Sequence, residues 1–175
     1  MEKLTRWFFA DGAGGAPPAT LFVRVIVGSV FITSGAVKFV YSNQGVGRFT
    51  KLGIPAPSVL APFVGAVEIV AGILCVIGLL TRLAAIPLII DMLVAVASSK
   101  LPLLTGVGPE PVAAAPQTGF WAFAYQARLD LTMLLCAAFL LAVGAGVWSV
   151  DAWLARQRQD AVREQPQVVA SSARS

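Results

Sequence analysis

Glu68 lies near the middle of an apolar run from about Val59 to Leu80. Hydrocarbon cannot solvate a carboxylate, so this one must be paired, protonated or open to a polar cavity. Four more ionisable residues, Lys38, Asp91, Arg128 and Asp130, lie in or at the ends of three other apolar runs. The chemistry open to such a set is ion pairing and proton exchange away from bulk water. Depth suggests the pairing. Lys38 stands at the far end of the first run, and Glu68 is about nine residues, or ~13 Å, from the matching end of the second. A lysine can reach down along its aliphatic stem to meet it. Arg128 and Asp130 enter the fourth run from the same side, so two cations and two anions can form a neutral cluster. Asp91 has no obvious partner. It is expected to be protonated or bonded to Ser or Thr hydroxyls; the alternative is that the third helix is shifted and Asp91 reaches a water-filled crevice.

The elements that must position these groups are membrane helices. Hydropathy places them at about 20–41, 59–80, 82–99 and 128–149, each near the ~20 residues that cross a bilayer. The runs are too long and too uniformly apolar for barrel strands. The fold class is therefore all-α: a polytopic, four-transmembrane-helix bundle. The first run is too long for a signal-peptide core and should remain as a span. The third is short and contains Pro87, which should kink it. In the first helix Arg24, Gly28, Phe31, Gly35 and Lys38 fall on one stripe, and in the second Ala61, Gly65, Glu68, Gly72 and Cys75 do the same. Small residues on such stripes let helix backbones approach closely.

Composition agrees. The 175 residues are 57% hydrophobic and only 13% charged, with a mean hydropathy of +0.79; soluble domains carry about 25% charged residues. The net charge of +4 is scattered around the apolar runs, which argues against nucleic acid and for topology signals. With both termini cytoplasmic, the inside holds Lys3, Arg6, Arg82, Arg156, Arg158 and Arg163, and the outside holds Arg48, Lys51 and Lys100. Trp148 and Trp153 then suit the inner interface, Trp121 and Tyr125 the outer one. Residues 1–19 form a cytoplasmic segment, 20–153 the membrane domain, and 154–175 a disordered cytoplasmic tail. Histidine is absent, and no haem, flavin or metal motif is present. Cys75 and Cys136 lie in apolar runs without a Cys-x-x-Cys pair, which argues against thiol–disulfide exchange. Each is expected to pack as a small apolar group; a bridge forms only if the second and fourth helices touch there.

In order and spacing, the chain resembles the DoxX family of small four-helix membrane proteins. The resemblance begins with Arg24, Gly28, Phe31 and Ser34-Gly35-Ala36-Val37-Lys38. It continues through Phe49, Gly53-Ile54-Pro55, Glu68, Gly72, Gly78-Leu79-Leu80-Thr81-Arg82 and Ala84-Ala85, then Met92 and Ala95. It closes on Gly144-Ala145-Gly146-Val147-Trp148-Ser149-Val150-Asp151. It covers about 20–153. It implies a four-helix bundle in the cytoplasmic (inner) membrane. Some members resemble subunits of a thiosulfate:quinone oxidoreductase, and others are linked to redox-stress assemblies with soluble partner enzymes. Where members often carry a glutamate at the start of the fourth helix, this chain has Asp130, a shorter acid with less reach toward Lys38.

Two roles follow. The first is a membrane subunit of a quinone-linked or redox-stress oxidoreductase system. Glu68, Lys38 and Asp130 are then the candidate proton donors, and Arg24, Glu68, Asp91, Arg128 and Trp121 the candidate ligand contacts. Electrons would come from a soluble or membrane partner subunit. The second is a non-catalytic scaffold or assembly factor, in which the polar cluster fixes helix register. A small transporter is a third role, which one modest cavity would serve only in a homo-oligomer.

Overall fold

The computed structural model describes residues 16–106, 118–157 and 160. Its helices are α1 (Thr20–Val40), α2 (Val46–Lys51), α3 (Pro57–Ile77), α4 (Thr81–Ala95) and α5 (Phe120–Val143), followed by a short α6 over 150–157. Beyond Ala95, α4 continues through a π-helical turn, Val96–Lys100, and a 3-10 turn, Leu101–Thr105.

α1, α3, α4 with its extension, and α5 are 21 to 25 residues long and apolar enough to cross a membrane. Only 22–33% of each stretch is buried within the bundle. The rest, including Phe22, Phe63, Ile90 and Leu135, faces outward. Water would not tolerate so large an apolar exterior, whereas a bilayer matches it in length and chemistry. The protein is an all-α, four-helix membrane bundle.

α1 and α3 pack face to face along the two glycine stripes. A Cβ added to Gly35 would lie 2.5 Å from the Gly65 carbonyl oxygen, and one added to Gly72 would lie 2.9 Å from that of Gly28. Only glycine permits this approach. Val27, Phe31, Cys75, Ala85, Leu88, Met133 and Leu140 fill the shared core. Cys75 and Cys136 are free thiols, and Cys75 is a buried packer.

The fourth span differs from expectation. It begins at Phe120 rather than 128 and ends at Val143 rather than 149. The aromatic run Phe120-Trp121-Ala122-Phe123 is its first turn, not loop. Its hydropathy is diluted by Gln126, Arg128 and Asp130, which hid the start. Residues 144–149 are apolar, yet their glycines take them out of the helix. The chain is then helical through 157, so the tail is ordered at 154–157, where disorder was expected. The expected N-terminal segment up to residue 15 and the tail from 161 lie outside the described residues.

Candidate functional site

The ionisable residues separate to opposite ends of the bundle. At one end the chain turns from α3 into α4 and from α5 into α6. A helix leaves its last carbonyls without intrahelical donors, and arginines supply them here. The Arg24 guanidinium donates to the carbonyl oxygens of Cys75 (2.9 Å), Val76 (2.6 Å), Ala145 (2.9 Å) and Trp148 (2.7 Å). It caps the C-terminus of α3, where the helix dipole favours a cation, and ties it to the glycine-rich segment after α5. Arg82 donates to Ala142 in the last turn of α5 (3.2 Å).

Gly78 has φ +72°, and a Cβ there would fall 2.6 Å from the Arg24 guanidinium; a side chain would meet both strain and collision. Asp151 fastens this turn. Its carboxylate accepts from the Leu80 amide (3.1 Å), and its own amide donates to the Gly78 carbonyl (3.1 Å). Ser149 accepts from the Ala152 amide (3.1 Å) as the N-cap of α6. The Ser-x-Asp pattern is thus a clamp. Arg24, a candidate ligand contact by sequence, is 2% exposed and its donors are spent on the backbone.

The other end holds a cavity of about 530 Å³ lined by Lys38, Glu68, Asp91 and Asp130. Lys38, at the end of α1, donates to Glu68 of α3 at 2.5 Å. Glu68 is 1% exposed, yet both residues line the cavity. The pairing matches the depth argument. Asp91 of α4 and Asp130 of α5 line the same space, and Asp91 stands beside Glu68 within electrostatic reach. Asp91 thus lines the cavity, which is the alternative expectation for it. The hydroxyls of Ser98 and Ser99 donate to the carbonyls of Val94 and Ala95 on their own helix.

The predicted four-charge cluster does not form as such. Arg128 turns outward, donates to the Tyr125 carbonyl (2.8 Å) and lies 3.7 Å from the centre of that ring. Residues two apart on a helix are about 200° apart, so Arg128 cannot share the inward face of Asp130. Trp121 is likewise exposed and packs edge-on to Phe120. The cation nearest Asp130 is Lys100, at 3.8 Å, brought inward by the π turn. Arg48, expected only as a topology signal, also lines the cavity. One sequence signal did point there: Asp91, Ala95 and Ser98 recur at steps of four and three.

The DoxX family profile matches residues 19–101. The uncharacterized membrane protein Rv3486 of Mycobacterium tuberculosis is 46% identical over 142 residues, covering 81% of this chain and 84% of that protein. The chain belongs to the DoxX family. A protein of Bacillus subtilis named "Putative oxidoreductase CatD" is 26% identical over 141 residues, covering 81% of this chain and 90% of that protein. No solved structure matches the chain. The DoxX profile takes in α1, α2, α3 and α4, and with them Lys38, Glu68 and Asp91. Asp130 and the Ser149–Asp151 clamp lie beyond it.

Proposed function

We propose that this DoxX protein is a membrane subunit of a redox system, and that its cavity takes the headgroup of a quinone. Reducing a quinone to a quinol adds two electrons and two protons. The chain has no histidine and no Cys-x-x-Cys pair, so in this reading the electrons come from a partner oxidoreductase. Lys38 and Glu68, with Asp91 beside them, hold and pass the protons. The observation that carries the reading is that the Lys38–Glu68 pair lines a cavity. A pair serving only to fix helix register works best sealed and dry, because water weakens it. The name of the Bacillus subtilis relative supports the redox class.

In this reading the bundle sits in the cytoplasmic membrane with both ends of the chain inside. Arg82 and Arg156 then lie on the cytoplasmic side, and the cavity end, with Arg48, Lys51 and Lys100, faces outward.

The test is reduction of a decyl-tailed benzoquinone by the purified protein together with a candidate donor enzyme. Glu68→Gln, which keeps the shape and removes the proton, should slow quinol formation by about 100-fold or more, the usual contribution of a positioned acid–base group. Equal rates in wild type and variant would overturn the assignment.

A further inference from the structure

The cavity's two boundaries differ. Toward the membrane face, the chain after α1 folds back as α2, and Arg48, buried Phe49, Leu52 and Ile54 line the cavity from that side. Toward the bilayer the wall is incomplete. Ser29 and Thr33 of α1 and Val94 of α4 line the cavity and are themselves exposed. Ser29 lies close to the middle of the Thr20–Val40 span, and Val94 close to the middle of Thr81–Thr105. Among the described residues α1 packs extensively along α3, and α4 along α5, with at most slight contact between α1 and α4. The polar cavity therefore reaches the outer surface of the bundle at the depth of the lipid chains.

The side chains around this opening suit contact with hydrocarbon. The Ser29 hydroxyl donates to Ile26 (3.1 Å), Thr33 to Ser29 (2.7 Å) and Ser98 to Val94 (2.7 Å), each within its own helix. A hydroxyl satisfied in this way can face an acyl chain at little cost, and it can still accept a hydrogen bond from a passing headgroup. Deeper in, the Lys38 ammonium and the Glu68 and Asp91 carboxyls offer donors and acceptors. Apolar surroundings, a hydroxyl-lined opening and a charged floor form a gradient of polarity.

We propose that the cavity is loaded sideways from the bilayer, and that its ligand is an amphiphile whose compact polar headgroup enters past Ser29, Thr33 and Val94 while its apolar tail stays in the lipid. The proposal deepens the quinone reading by stating how such a ligand arrives. It excludes freely water-soluble substrates as the main occupants.

The test places an environment-sensitive fluorophore, bimane, on Ser34→Cys, inside the cavity, in an otherwise cysteine-free chain reconstituted in phosphatidylcholine. A second labelled site, Val25→Cys, faces lipid and serves as control. Replacing the lipid by its brominated-chain form, a contact quencher, should dim the cavity probe by most of what the control loses. Thr33→Phe with Val94→Phe, which narrows the opening, should restore the emission. In unbrominated lipid, decyl-tailed benzoquinone, itself a contact quencher, should dim the cavity probe at lower concentration than it dims the Val25 control. Quenching by brominated lipid with no excess quenching by the quinone over the control supports the opening and sinks the quinone reading. A cavity probe that stays bright while the control dims overturns the opening, whether the wall closes or a second copy covers it. The quinone reading would then rest on its own rate assay.

Discussion

The two ends of the bundle use charged residues in opposite ways. At the clamp end, Arg24 directs four hydrogen bonds at backbone carbonyls, Arg82 donates to the Ala142 carbonyl, and Asp151 and Ser149 bond to backbone amides. The groups they satisfy are helix ends and turns that would otherwise be orphaned in an apolar medium. At the cavity end, Lys38, Glu68, Asp91 and Asp130 meet other side chains around an open space. Backbone partners are fixed by the fold and leave nothing over for a ligand. Side-chain partners around a cavity can be exchanged for one. The clamp end makes the structure, and the cavity end is free to do chemistry.

The strongest attempt to break this contrast is Arg24→Leu. It removes all four donor contacts and takes the guanidinium away from the carbonyls of Val76, Ala145 and Trp148, while Cys75 keeps the Gly78 amide. Each buried orphan costs about 1–3 kcal/mol, so little folded protein should survive. Yield and thermal unfolding in mild detergent measure it; a variant as stable as wild type would end the clamp assignment. Next is Gly35→Val. Its added atoms meet the Gly65 carbonyl and Ile69, and overpacking of this kind costs about 1–3 kcal/mol. The same assay should show an intermediate loss. Because Gly35 sits beside Glu68, the variant should also disturb the cavity.

How far each end could be read from sequence follows from the kind of partner involved. The α1 and α3 stripes were legible because helical period and small residues both mark them. Lys38–Glu68 was legible because two opposite charges stood at compatible depths. The clamp role of Arg24 was hidden, since backbone carbonyls carry no residue-type signature. Arg128 and Asp130 were read into one cluster because they enter the fourth run from the same side, although a helix sends them to different faces. The start of α5 was masked by Gln126, Arg128 and Asp130, of which Asp130 lines the cavity. The 144–149 segment read as helix because hydropathy registers apolarity and not glycine geometry.

A smaller effect sharpens the clamp itself. Ser149→Ala removes the N-cap of α6 and should cost about 1 kcal/mol. Ser149→Asp keeps an acceptor and should recover most of it. If both variants match wild type in thermal unfolding, α6 is held by Asp151 and packing alone.

The smallest stability effects belong at the cavity end, and they separate the two roles most cleanly. Glu68→Gln leaves Lys38 a neutral hydrogen-bond acceptor, and Lys38→Met leaves Glu68 a buried carboxyl beside the cavity that can neutralise by taking up a proton. Each should cost well under the 3–5 kcal/mol seen when a sealed ion pair loses one partner. Quinone-linked turnover should nevertheless fall sharply in both. The Lys38→Met, Glu68→Gln double variant should be folded and inactive. A scaffold behaves the other way: each single change reduces folded protein or recovered partner, and the double change restores part of the loss. Measuring stability and turnover on the same four proteins therefore decides the matter. Coupling in stability with no activity to lose would make the cavity end a second clamp, and the contrast between the two ends would disappear.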